Sequence, residues 1–224
     1  MAWPDRIVYH VKAAVPWAYD LMAAGNAALT LTLHGRRIRR ALSDAVLSGT
    51  VFGEPAVIRP IGTGDLDRLD ALISAMPEEH LKFFHPHGLD RDSLRKVLKA
   101  RSILTFGLFQ RDELVAYALL KLFATKRAYL GRVVAPAMAG SGIGRFLNRY
   151  LYWHGYKLGF AVCGTVSKDN LASLRSHAAV RPYKFVAILP NDFRLMELSI
   201  IEEDANPPEL RLERTPKSSV RSRG

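Results

Sequence analysis

Val133-Val134-Ala135-Pro136-Ala137-Met138-Ala139-Gly140-Ser141-Gly142-Ile143-Gly144-Arg145 leads from an apolar strand through a glycine-rich turn into a helix. Glycines let backbone N–H groups approach a ligand closely, and a helix N-terminus adds partial positive charge. Such a turn can hold a phosphate or pyrophosphate without a dedicated side chain. Two familiar phosphate loops are excluded. No Gly-Lys-Ser/Thr closes the turn, and the glycines follow GxGxG, not the GxGxxG of dinucleotide folds. A dinucleotide fold would also want an acidic ribose ligand about 20 residues on, but no Asp or Glu occurs between Glu113 and Asp169.

Outward from this turn the pattern is mixed α and β. Upstream, Ala56 to Pro60 reads as a short strand, followed by a helix with Leu66, Leu69, Leu72 and Ile73 at helical spacing. A second helix over Asp90 to Ala100 precedes three successive apolar strands, Ser102–Phe109, Leu114–Leu122 and Ala128–Ala135, which read as an antiparallel meander. Downstream, a helix over Gly142–Leu158 carries Phe146, Leu147, Tyr150, Leu151 and Trp153 largely on one side. A strand over Gly159–Val166, a helix over Asp169–Ala179 and strands over Tyr183–Leu189 and Phe193–Ile200 complete the order.

At this point the chain resembles the GNAT superfamily of acetyl-CoA-dependent N-acyltransferases. The family turn is commonly Val-x-Pro-x-x-(Arg/Gln)-Gly-x-Gly-x-(Gly/Ala), and Val134, Pro136, Gly140, Gly142 and Gly144 stand at the matching places. A second motif, Asn, a small residue three on and an aromatic or His seven on, is matched by Asn170, Ser173 and His177. The resemblance covers about residues 56–200 and implies an α+β fold: a mostly antiparallel, splayed central sheet flanked by helices. Residues 1–55 would be an N-terminal extension and 201–224 a flexible C-terminal tail. Two departures stand out. Ala139 occupies the usual Arg/Gln place, and Val180-Arg181-Pro182-Tyr183 replaces the Gly-Phe that normally follows the second helix.

The resemblance implies acetyl-CoA as donor cosubstrate and N-acetylation of a primary amine by direct attack on the thioester. The pantetheine arm would pair with the backbone of Val133 and Val134. The pyrophosphate would sit on Ala139, Gly140, Ser141, Gly142, Ile143, Gly144 and Arg145, with Asn170 and Ser173 completing the cofactor site. His177 is the candidate acid for the departing sulfur, because the unperturbed imidazole pKa lies near neutrality; the alternative is a packing histidine. No carboxylate lies between Leu114 and Lys168 to act as base from the central strands. His85 and His87, in Phe83-Phe84-His85-Pro86-His87, are therefore candidates to take or relay a proton, with Glu78 and Glu79 as fallbacks. Metal binding by this pair lacks a third ligand, so no metal is expected.

Composition narrows the function classes. The chain has 224 residues, 49% hydrophobic and 24% charged, as in a globular domain. One cysteine, Cys163, excludes an internal disulfide, reads as a buried thiol and suits a cytoplasmic location. The formal charge is +11, and Lys121 to Arg181 holds ten basic residues against one acid, Asp169. Something anionic is expected there. Nucleic acid is not the expected partner, because Tyr150 and Trp153 fall at core spacing. A small-molecule amine acceptor is expected, such as an amino sugar or sugar nucleotide, with the excess charge suiting an anionic one. The apolar stretch Leu21–Leu33 followed by Arg36, Arg37, Arg39 and Arg40 suits a membrane surface, although docking on the main domain is the favoured reading. The competing class is a catalytically inactive module that uses its basic surface for nucleic acid, membrane or a protein.

Overall fold

The computed structural model describes residues 16–189, 193–198 and 201–213. Helix α1 (Pro16–Leu42) leads into the hairpin β1 (Leu47–Val51) and β2 (Glu54–Pro60). Three helices follow: α2 (Leu66–Ser74), α3 (Glu78–Leu81) and α4 (Arg91–Lys99). The meander is β3 (Ile103–Gln110), β4 (Glu113–Leu122) and β5 (Arg127–Val134). Helix α5 (Ile143–Leu158), strand β6 (Ala161–Ser167) and helix α6 (Leu171–Ala178) come next. Strands β7 (Tyr183–Ile188), β8 (Phe193–Leu198) and β9 (Arg211–Leu212) complete the order.

Among the described residues the nine strands form one sheet in the order β7-β8-β6-β5-β4-β3-β2-β1-β9. The pairings β5–β6 and β1–β9 are parallel and the others antiparallel. The apolar run of β4 follows from its place in the middle, where both faces are covered. Ala116, Ala118 and Leu120 join the core under α5, with Phe106, Tyr150 and Trp153. Tyr117 and Leu119 join the opposite core under α2 and α4, with Leu69, Ile73 and Leu94. Tyr150 and Trp153 are buried as their spacing predicts, and so is Cys163.

The expected boundaries do not coincide with the folded unit. The 55/56 boundary cuts the β1–β2 hairpin. Helix α1 is docked on the sheet: His34 Nε2 meets the Ala124 carbonyl at 3.1 Å, and Asn26 bridges the Leu122 carbonyl and the Ala124 amide at 3.1 and 3.2 Å. Residues 201–213, expected as a tail, put β9 against β1 and bury Leu210. Asp204, also buried, binds both Nη atoms of Arg181. This pair explains the departure at Val180-Arg181-Pro182-Tyr183: the arginine clasps the C-terminal segment. The C-terminal correction has a plain physical cause, since β9 pairs with β1 from the other end of the chain. Strand partners far apart in sequence leave no local periodic signal. Residues 1–15 and 214–224 lie outside the described residues, as do Ser199 and Ile200 of the last expected strand.

Candidate active site

The site is built where β5 and β6 part. Their parallel pairing covers only Arg127–Tyr129 against Ala161–Cys163, and beyond it a cleft of about 1100 Å³ opens. Leu130, Arg132 and Val134 line it from β5 and Thr165 from β6; the glycine turn and the start of α6 close its rim.

Hydrogen-bond parity decides which backbone groups face this opening. Ala135 N–H donates to Val115 and Phe123 N–H to Arg127, so odd-numbered residues of β5 spend their backbone on β4. The even-numbered residues turn theirs towards β6, as Ala161 N–H to the Lys126 carbonyl shows. Val133 also lines the cleft, but its backbone serves β4 and its side chain packs in the α2–α4 core. Arg132 and Val134 present the outward groups, and the Val134 carbonyl accepts from His80 Nε2 at 3.0 Å.

In the turn, Gly140 and Gly142 adopt φ of 76° and 87°, a left-handed conformation that favours glycine. Several amides are already used. Ala139 N–H donates to Pro136, Ser141 N–H to Met138, Arg145 N–H to Gly142, and Ile143 N–H to Ser141 Oγ. Among the described residues, the amides of Gly140, Gly142 and Gly144 make no hydrogen bond. They are the donors a phosphate would take. Ile143 is corrected to a core residue, fully buried with its amide engaged. Asn170 caps α6 by accepting from Ser173 N–H at 3.0 Å, and both residues line the cleft.

Arg132 is one site residue that sequence reasoning missed. Its Nε donates to Asn148 Oδ1 at 2.5 Å and its Nη2 to Ser176 Oγ at 2.9 Å. Nη1 stands 3.2 Å from where a Cβ on Gly144 would lie. Burial brings its pKa down to about 10, so it is still a cation at neutral pH, with no carboxylate within ion-pair distance among the described residues. Its only sequence signal is a charge in the interior of β5, five residues after Arg127 at the strand's start. Other charged groups at the cleft are Lys82, Arg145 and Arg175 against Glu79 and Asp169.

The histidines separate. His177 is buried, with Nδ1 2.6 Å from Tyr152 Oη. Burial, helped by Arg132, pushes its pKa down to about 3. The near-neutral titration expected of it is therefore lost: at pH 7 it is a neutral ring. His85 lines the cleft and donates from Nε2 to the Lys82 carbonyl at 2.9 Å. His87 does not line the cleft: its Nδ1 donates to the Gly88 carbonyl at 2.7 Å, and its Nε2 lies 3.1 Å from Tyr117 Oη. His80, which the sequence did not single out, lines the cleft beside Val134. Because a carbonyl only accepts, its Nε2 carries the proton, and the neutral ring keeps Nδ1 as an acceptor. No group of three His, Cys, Asp or Glu side chains is placed to hold a metal among the described residues.

No family model matches this chain, and no curated protein matches it. Solved structures do. The GNAT domain of S. lividans PAT is 15% identical, with a TM-score of 0.61 over 70% of this chain and 97% of that one. Mycobacterium smegmatis RimJ in complex with CoA-disulfide is 17% identical, with a TM-score of 0.56 over 68% and 86%. Spermidine N-acetyltransferase from Vibrio cholerae, in complex with CoA and spermine, is 15% identical, with a TM-score of 0.53 over 64% and 94%. The fold is that of the GNAT N-acetyltransferases.

Proposed function

We propose that the chain is an acetyl-CoA-dependent N-acetyltransferase acting on a primary amine of a small, anionic molecule. The observation that carries this reading is the set of unengaged amides at Gly140, Gly142 and Gly144 in the same cleft as the uncompensated Arg132 cation, which lies beside Gly144. A half-buried cation without a carboxylate is costly, and an anionic ligand supplies the missing charge. Arg132 thus does work that the family turn usually assigns to the Arg/Gln at the place of Ala139.

Acetyl-CoA, when bound, supplies the acyl thioester. Gly140, Gly142, Gly144 and Arg132 would hold its pyrophosphate, and the outward backbone of Arg132 and Val134 its pantetheine arm. The attacking amine must first lose a proton. His80 Nδ1 is the better-placed acceptor, because Nε2 ties the ring to the Val134 carbonyl at the strand edge; His85 Nδ1 is the second. His177 holds Tyr152 in place and supplies no imidazolium proton. Lys82, Arg145 and Arg175 outnumber Glu79 and Asp169 around the cleft, which suits an anionic acceptor better than a polyamine. A cytoplasmic location accords with this donor.

The test measures melting with acetyl-CoA, CoA and ADP, then thiol release with a panel of amines. Stabilisation by acetyl-CoA with thiol release supports the reading. Absence of both removes it. A second reading, a module that binds CoA without turnover, is favoured by the loss of His177 as an acid; stabilisation with no thiol release would select it.

A further inference from the structure

Helix α1 docks through Thr30, His34, Ile38 and Ala41, all buried. Its opposite face is open. At about 100° per residue, Leu21, Met22, Gly25, Leu29, Thr32 and Leu33 share one side of the helix with Arg36, Arg39 and Arg40. Leu21, Met22, Leu29 and Leu33 are 68%, 47%, 51% and 58% exposed. Three turns of that face are thus uncharged and largely apolar, and the next turn is cationic. No Asp or Glu occurs from Leu21 to Ser43.

A second feature adjoins this face. A groove of about 470 Å³ runs between α1 and the segment from α4 into β3. Leu31, Ile38, Leu98 and Leu104 form its apolar lining; Arg39, Lys99 and Arg101 supply its charges, and no carboxylate lines it. Thr32 and Arg39 belong both to the groove and to the open face. An apolar floor with cations alone suits an amphiphile with a negatively charged head.

From this juxtaposition we propose that the outer face of α1 and the adjoining groove form a docking surface for an anionic phospholipid bilayer. Leu21, Met22, Leu29 and Leu33 enter the headgroup–acyl boundary, and Arg36, Arg39, Arg40, Lys99 and Arg101 meet lipid phosphates. The chemistry is that of an interfacial helix, in which apolar burial and attraction to anionic lipid act together. No helix among the described residues is long and apolar enough to span a bilayer, so contact would be peripheral. Charge favours lipid over a second copy of the chain. A face packed on its own twofold copy must be self-complementary, and this face offers arginines with no carboxylate to receive them. The acyltransfer reading is not a premise of this surface.

The test is flotation of the full chain with vesicles of phosphatidylcholine alone or mixed with phosphatidylglycerol, at about 0.1 M and 0.5 M salt. Binding is expected only to the anionic vesicles and to weaken at high salt, where exposed charges are screened within a few ångströms. Arg39→Gln/Lys99→Gln/Arg101→Gln should lower partition roughly 100-fold, at about fivefold per cation. Leu29→Asp/Leu33→Asp should abolish it, with melting temperature unchanged in both variants. Equal binding to both vesicle types, binding to neither, or a dimer dispersed by Leu29→Asp/Leu33→Asp would overturn the proposal.

Discussion

Arg132 Nη1 stands 3.2 Å from the point where a Cβ on Gly144 would sit, so the cation of β5 and the first turn of α5 share one small space. Arg132→Met keeps most of the volume and removes the charge. Loss of a charge-assisted contact costs about 1.5–3 kcal/mol, so affinity for CoA should fall roughly 10- to 100-fold. Titration calorimetry with CoA and with pantetheine separates the effects: pantetheine, lacking the pyrophosphate, should be unaffected.

Gly144→Ala places a methyl against that guanidinium and should weaken CoA binding by displacing it. Arg132→Met has already removed the obstructed group, so the double variant should lose less than the sum of the two single losses. A cycle of four dissociation constants measures this, and additive losses would detach Gly144 from Arg132.

His80→Gln should lower kcat by about 10²- to 10⁴-fold, the usual contribution of a positioned proton acceptor, with CoA affinity retained. His87→Gln should leave kcat nearly unchanged, because His87 lies outside the cleft. Steady-state rates on the best amine found by thiol release decide between the two histidines.

Two of the buried histidines, His154 and His177, make a stability prediction. His154 and His177 both have pKa values pushed down to about 3, chiefly by burial. A depressed histidine pKa means the folded state resists protonation. The stability is complete above the unfolded value near 6.5 and is lost as pH falls towards about 3. Melting temperature should therefore begin to fall below about pH 6.5, before most carboxylates titrate. His154→Leu should flatten that fall between about pH 6 and 4.5 in a series of melts.

Asp204→Asn would leave the buried Arg181 without its counter-charge, and breaking such a pair costs about 3–5 kcal/mol. A clear drop in melting temperature is expected. Truncation after residue 200 should have a similar or larger effect, because it also removes β9 and Leu210. A mobile tail would show no change in either variant.

The glycine turn, the meander and the core face of α5 were legible in the sequence because each is local. A turn needs particular residues at fixed spacing, and a buried helix or strand repeats its apolar residues with the period of its own backbone. Those signals, with Asn170 three residues before Ser173, were enough to point to the fold. The tertiary structure decided what depends on distant partners. It placed β1 and β9 at one sheet edge, turned Arg132 towards Gly144 and Ser176, and assigned Arg181 to Asp204. It also closed side chains around His177 and so lowered its pKa. Desolvation sets that pKa, and desolvation depends on which side chains close around the ring, information that no short window of sequence contains.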